Sequence, residues 1–284
     1  MPEGDTIYRA ARTLHRALAG SVVTSFETQL PALAREDTDR PIAGRTVEFA
    51  QANGKWLQIG FTGDLVLLTH MLMSGSWHLY RPGEAWQKTR FHMRVIIATA
   101  KFVAVAFNVP VAEFHTHKSL ARRPGFNQLG PDVLGVDFSH ADTVSALADH
   151  PDLEVGVALL RQSILAGLGN VFKSEVCFVA GVNPFQRVGD LARLQLESLV
   201  STSRKLLTAN VGPSSGNQIV TYTGMRRTTG RSDPAERLWV YHRNGEPCRK
   251  CGTAILSRKQ GEDARSSFWC PVCQPIKASQ LNSS

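Results

Sequence analysis

The 284-residue chain is 43% hydrophobic, enough to bury a sizeable core, which excludes a wholly disordered protein. Its formal charge is +8, and residues 221–277 carry eleven Lys or Arg against five Asp or Glu. So clustered an excess attracts polyanions, nucleic acid first among them, although a solvated basic face has the same composition. No run of 18 uncharged apolar residues occurs, and Glu3, Asp5, Arg9, Arg12 and Arg16 interrupt the start, so a secretory or membrane-spanning segment is not expected. The composition predicts a soluble cytoplasmic protein.

The first predicted element is a helix over "TIYRAARTLHRALAG", with Ile7, Ala11, Leu14 and Leu18 on one face, Asp5 or Thr6 as the cap and Gly20 as the stop. From about Val22 to His117 the pattern turns to strands: "TVEFAQA", "KWLQIGF", "LVLLTHMLM", "SWHLY", "MRVIIATA" and "KFVAVAFNV", several separated by Gly or Pro. A β-sandwich or barrel fits these runs. "LARRPGFNQLGPDVLG" reads as a linker. Helical periodicity then returns in "EVGVALLRQSIL" and "VFKSEVCFVAG", on either side of "AGLGN", and in a longer helix from about Leu191 to Asn210. A Gly/Ser/Thr-rich loop leads to a cysteine module, and the last residues read as a disordered tail.

Four of the five cysteines form two pairs, Cys248-x2-Cys251 and Cys270-x2-Cys273, separated by eighteen residues. Each pair can offer two thiolates to one tetrahedral ion, the spacing of a structural Zn2+ site. Two disulfides are the other reading, and a cytosolic setting disfavours them. A two-stranded hairpin is expected between the pairs, with Arg265 on its return arm, where it can reach a duplex or simply be solvated. Cys177 lies in an apolar run and reads as a small core residue. In the helical pair, Gly167 and Gly169 free the backbone, Asn170 stands at the start of the second helix as cap or phosphate ligand, and Lys173 adds charge one turn later. An ordinary helical hairpin has the same pattern; with the cysteine module behind it, DNA binding is favoured.

At the N-terminus, removal of Met1 gives Pro2 a free secondary amine. An α-amino group titrates near pH 8, so a useful fraction is unprotonated at neutral pH and able to form a Schiff base. Glu3 stands beside it as a proton-transfer group. The same residues also make an ordinary helix start.

In order along the chain, "MPEGDT", "GKWL", "MSGSW", "LGPDVL", "ILAGLGNVFKSE" and "RLWVYHRNGEPCRKCGT…RSSFWCPVCQ" resemble the bacterial formamidopyrimidine-DNA glycosylase and endonuclease VIII family over almost the whole chain. The resemblance implies that Pro2 is the nucleophile at C1′ and that Glu3 is the acid/base that opens the deoxyribose. It implies that Lys55 contacts the phosphate near the lesion, that Met73 fills the gap left by a flipped base, and that Asn170 and Arg265 bind phosphates. His70 and His92 are candidates for the backbone or for ordinary structural positions. Thr6 stands where many relatives carry a second glutamate, and the Arg-Phe wedge of the formamidopyrimidine type has no clear counterpart. The "PEGDT" start is more similar to the endonuclease VIII side, whose members prefer oxidised pyrimidines.

The expectation is therefore an α+β multidomain fold. A β-sandwich catalytic domain with an N-terminal helix spans 1–120, a helix–two-turns–helix domain 121–243, a four-cysteine zinc-finger hairpin 244–276 and a tail 277–284. The expected function is that of a monomeric DNA glycosylase/AP lyase acting on double-stranded DNA with oxidised bases or abasic sites, by a proline Schiff base and β,δ-elimination. Its one cofactor is a structural Zn2+. An oxidised-purine preference, or a non-catalytic binder of damaged DNA, is the alternative.

Overall fold

The computed structural model describes residues 2–212, 226–229 and 236–276. Among these, residues 2–128 form one compact unit and the residues from 129 onward form a second, which includes the cysteine module. The expected tail and most of the Gly/Ser/Thr loop lie outside the described residues.

The first unit opens with α1 (Gly4–Leu18). Ile7, Ala10, Ala11, Leu14 and Leu18 recur at helical spacing and are all buried in one core. Its N-cap is Glu3 and not Asp5 or Thr6; both of those are already helical. Gly20 follows the helix with φ +78°, which only glycine adopts without strain. Eight strands then pair: β1 (Val23–Thr28), β2 (Val47–Asn53), β3 (Trp56–Phe61), β4 (Leu65–His70), β5 (Ser76–Tyr80), β6 (Met93–Thr99), β7 (Val103–Phe107) and β8 (Val111–His115). They make two antiparallel four-stranded sheets, ordered β1-β6-β7-β5 and β2-β3-β4-β8. Each predicted run contains a strand, but "LVLLTHMLM" overshoots: β4 ends at His70, and residues 71–73 lie in the loop that follows. β1 and β8 are additions, and so is α2 (Pro31–Asp39), which starts on a proline and buries only Leu33.

Alternation shows which face meets which core. Trp77 and Leu79 of β5 enter the core between the sheets, while Ser76, His78 and Tyr80 turn to the outer face. β4 reads as a continuous apolar run because both faces are covered. Leu65 and Leu67 join the main core; Val66 and Leu68 pack with Phe49, Trp56 and Leu120, the last from the short helix α3 (His117–Leu120).

The second unit contains α4 (His140–Ala148), α5 (Val155–Leu160), α6 (Asn170–Val179), α7 (Arg193–Val211) and the hairpin β9 (Leu256–Gln260) and β10 (Arg265–Trp269). The helix expected over 154–165 stops at Leu160. There Gln162 turns its side chain inward: its amide donates to the carbonyls of Leu160 and Leu168, and its oxygen accepts from Gly167 N. Asn170 is the first helical residue of α6 and Gly169 is its cap, so of the two roles read for Asn170, cap or phosphate ligand, it does not fill the first. Cys177 is fully buried, as its apolar setting predicted.

Gly60 faces Phe49 across β2 and β3, and a Cβ there would lie 2.2 Å from the Phe49 ring. Gly60→Ala should destabilise the sandwich by about 1–3 kcal/mol, read as a lower urea midpoint. Phe49→Leu in the same chain should recover part of that loss.

Candidate nucleic-acid interface and metal centre

In the first unit, hydrogen bonds fix which end of the sandwich receives each loop. Gly20 N donates to Val47 O (2.8 Å), and Ala50 N donates to His15 Nδ1 (3.2 Å). α1 therefore runs antiparallel to β2, with its N-terminal end directed toward the β2–β3 turn. That turn is Gly54-Lys55, flanked by the pair Asn53–Trp56; Gly54 has φ +58°. At the same end, Trp56 pairs with His70, the last residue of β4. Pro2 and Glu3 are buried, Glu3 fully so, and Lys55 is half-buried.

His70 sits in the middle of this end. Its Nδ1 accepts from Leu72 N (3.1 Å), and its ring meets the edge of Trp56 at 4.7 Å. Burial pushes its pKa down to about 4, with the charges of Lys55 and Arg123 adding to the effect. His70 is therefore neutral at pH 7, and its Nε2 carries the proton. Arg123 lies over the Trp56 ring, 4.2 Å from its centroid, and is held by both carboxylate oxygens of Glu113, at 2.9 and 3.0 Å.

The loop after β4 exposes apolar side chains. Met71 is buried, but Leu72 is 48% and Met73 63% exposed, and Leu72 takes φ +44°. Gly75 closes the loop: its N–H donates to Met71 O, and a Cβ would lie 2.6 Å from that oxygen. Leu72 was not anticipated from sequence, because an apolar pair next to a strand reads as core. His92 is half-buried, and its Nδ1 lies 3.0 Å from Asn108 Oδ1.

In the second unit, the first turns of α6 present polar side chains to the finger. Asn170 Nδ2 and Lys173 Nζ both donate to Ser266 O, at 2.9 and 3.2 Å. Ser174 Oγ accepts from Phe268 N at 3.4 Å. Asn170 is 8% exposed, its Oδ1 has no partner among the described residues, and it stands at the positive end of the helix dipole. Lys173 is fully buried. Its ammonium is turned into the protein, so the surface charge expected of it is not there.

Glu175 was missed from sequence, where an acid inside a helix carries no signal. Its carboxylate is fully buried and accepts from Trp239 N (2.8 Å), Val240 N (2.9 Å), Tyr241 N (2.9 Å) and the Thr228 hydroxyl. Arg265 begins β10 and is 44% exposed, with Asp263 Oδ2 at 3.8 Å. It shares a cavity of about 320 Å³ with Arg161, Lys173 and Gln260. Arg161 is exposed, and sequence reasoning missed it too.

The four paired cysteines converge, their sulfurs within 4.8 Å of one another; Cys248–Cys273 is 3.8 Å and Cys251–Cys270 is 3.4 Å. A tetrahedral zinc with bonds of about 2.3 Å sets its sulfurs about 3.8 Å apart. Backbone N–H groups of Lys250 and Cys273 point at Cys248 and Cys270 Sγ, as in a knuckle around thiolates. The site fits one structural Zn2+ held by four protein ligands, with no position left for substrate.

Family models match three stretches: the formamidopyrimidine-DNA glycosylase N-terminal domain at 1–110, its H2TH domain at 129–221, and the zinc finger found in FPG and IleRS at 245–276. The "Probable endonuclease 8 2" of Streptomyces coelicolor is 39% identical, covering 96% of this chain and 94% of the relative. A DNA-(apurinic or apyrimidinic site) lyase of Mycolicibacterium smegmatis is 34% identical, covering 96% and 99%. Among solved structures, Lactococcus lactis Fpg bound to abasic-site DNA superposes with a TM-score of 0.79 over 96% of this chain and 100% of that one. At 23% identity that likeness shows the fold.

Glu175→Gln should cost stability: an amide nitrogen then faces donors, and each donor left unmatched costs about 1–3 kcal/mol. Denaturant unfolding of the zinc-loaded protein checks this. The low pKa of His70 makes a second prediction. Below about pH 6.5 the unfolded chain takes up a proton at this position that the folded chain refuses until about pH 4. Stability should therefore fall as pH drops through that window, and His70→Asn should flatten the slope of urea midpoint between pH 7 and 4.5. An unchanged slope would mean that His70 protonates equally in both states.

Proposed function

We infer the reaction from one premise: the chain belongs to the formamidopyrimidine-DNA glycosylase and endonuclease VIII family, and it is a bifunctional DNA glycosylase/AP lyase of base excision repair. The substrate is double-stranded DNA carrying an oxidised base or an abasic site. Oxidised pyrimidines are favoured over purines, a preference supported by relatives named endonuclease 8 and by the "PEGDT" start. The enzyme works as a monomer in the cytoplasm; among the described residues no helix is long and apolar enough to cross a membrane.

The target C1′ is inaccessible inside a duplex, so the nucleotide must first be turned out of the stack, at a cost of a few kcal/mol. Exposed Leu72 and Met73 offset that cost by filling the vacated space. Lys55, His70, Asn170 and Arg265 hold phosphates, Asn170 with the N–H that Ser266 leaves over and with the helix dipole behind it. His70 and His92 divide here: His70 offers a neutral N–H donor, whereas His92 orders its loop through Asn108.

With Met1 removed, the Pro2 amine attacks C1′, the glycosidic bond breaks, and the departing base takes up the proton that the amine gives up. Glu3 delivers a proton to the ring oxygen, which opens the sugar and leaves an iminium at C1′. The iminium acidifies the 2′ hydrogen. Its removal expels the 3′ phosphate, and a second elimination expels the 5′ phosphate. Water then hydrolyses the iminium and frees the amine. The bound zinc holds the finger in shape and takes no part in these steps.

The observation that carries the reading is the shared end of the sandwich. The start of α1, the Gly54-Lys55 turn and the His70–Met73 loop all lie there, so an amine, a buried carboxyl, a cation and exposed apolar side chains come from three separate elements. Borohydride should trap a covalent adduct with abasic DNA, and mass spectrometry should find Pro2 as the first residue. Pro2→Leu retains Met1 and displaces the amine; trapping should fall by roughly 100-fold or more while DNA affinity stays within a few-fold. Undiminished trapping in that variant would overturn the assignment of Pro2.

A further inference from the structure

Arg123 lies outside any helix or strand, in the segment that follows α3, yet its side chain is only 20% exposed. Its guanidinium is held at all three nitrogens. Nε and Nη2 donate to the two carboxylate oxygens of Glu113 on β8 (3.0 and 2.9 Å), and Nη1 donates to Pro124 O (2.7 Å). The hydrogen bonds from Arg123 keep the Glu113 carboxyl below the usual carboxylate range, so the pair is ionised at neutral pH. Moving Arg123 out to a phosphate would cost Glu113 this partner. Its task therefore lies within the protein.

What Arg123 touches is Trp56, with its Cζ 4.2 Å from the ring centroid. Phe126, from the same segment, meets that ring at 6.3 Å and 78°. Trp56 in turn meets His70 at 4.7 Å and 77°, and the two are cross-strand partners in β3 and β4. On its other nitrogen-bearing side His70 is tied by Leu72 N, which donates to Nδ1. An apolar side chain would cover Trp56 without taking charges from water, so the charge of Arg123 is the property to be explained. Two cations act on His70: Lys55 from the turn before β3, and Arg123 with Glu113 behind it. A nearby cation disfavours a second proton on the imidazole. That second proton would sit on Nδ1, facing the N–H of Leu72, and would break the hydrogen bond that holds the loop of Leu72 and Met73.

We propose that Arg123, held by Glu113, is a positioning residue for the lesion strand: through Trp56 it fixes the His70 ring with Nδ1 toward Leu72 N and Nε2–H toward a DNA phosphate. This rests on the reading of His70 as a phosphate contact.

The test uses the full zinc-loaded protein and a duplex with a tetrahydrofuran abasic analogue, which cannot form a Schiff base. His70→Asn should weaken binding roughly 10-fold and Arg123→Gln roughly 5-fold. The double variant should lose no more than about two-fold beyond His70→Asn alone, because the residue through which Arg123 acts is gone. Arg123→Lys keeps a cation over the ring and should bind within about two-fold of wild type. Should Arg123→Gln not fold, Glu113→Gln, which loosens Arg123 and leaves it in place, carries the same cycle. In the free protein, NMR of labelled histidines, with His70 identified by its absence from His70→Asn, should follow its titration. The wild-type midpoint of about 4 should rise by roughly half a unit or more in Arg123→Gln. Fully additive losses in the double variant, or an unmoved His70 midpoint, would overturn the proposal. Wild-type affinity in His70→Asn would strike the phosphate contact itself, while the titration of the free protein still judges the hold of Arg123 on His70.

Discussion

A carboxylate removed from water is tolerable only if donors surround it, and in the second unit Glu175 meets that condition with three successive backbone amides and one hydroxyl. The segment it holds, 239–241, enters the cysteine module. The finger has a small core of its own, built around Phe178, Val240, Ile255 and Phe268, too small to stabilise a fold unaided. Cys248 and Cys270 belong to that core, where the four cysteines would hold zinc, and α6 attaches to the finger through Asn170, Lys173, Ser174 and Glu175. Buried side-chain amides complete the attachment. Gln260 reaches Pro184 O and Glu154, and Gln274 reaches Val182 O and Cys270 N. The backbone that carries Arg265 and the side chain of Asn170 therefore belong to one packed construction, while the Arg265 side chain itself is 44% exposed.

The first unit solves its positioning problem by topology. No single element there carries the proposed chemistry. An antiparallel register delivers the starts and ends of several strands to one edge, and short turns keep their side chains in place. The pair Trp56–His70 is a sheet ladder first and site geometry second. A one-residue slip in it would turn its side chains to the opposite face. This makes Gly60, well inside the sheet, as necessary to the site end as the exposed loops are.

What the sequence could reveal follows from how far each signal reaches. The periodicity of α1 and the apolar runs of six strands are local, and so is the cysteine spacing; all were legible. β1 and β8 were not, because "VTSFET" and "VAEFH" are half polar and bury little. The helix expected through 165 lost its second half to a tertiary effect, the inward side chain of Gln162. Lys173 and Glu175 show the same limit in side chains. A charge on a helix reads as solvent-facing until its distant neighbours are known. For Lys173 that neighbour is Ser266 of β10, 93 residues along the chain. Pro2 and Glu3 became legible only through the family resemblance, since spacing alone makes them a helix start.

Charge counting shows the limit most sharply. The basic excess of residues 221–277 suggests a footprint for a polyanion, but part of it is spent inside the protein. Arg243 is 8% exposed and donates to Trp239 O, Pro247 O and Glu246. Arg249 donates to Leu238 O, with Glu236 at 3.9 Å. These cations satisfy carbonyls that the finger, short of regular structure, would otherwise bury unpaired. Arg258, Lys259 and Arg265 remain exposed along the hairpin, and Arg258 keeps its guanidinium 3.8 Å above the Phe185 ring. The attraction for a phosphate backbone is thus narrower than the composition implied. Among the described residues three of the exposed cations lie along one hairpin, which suits contact with a few defined phosphates.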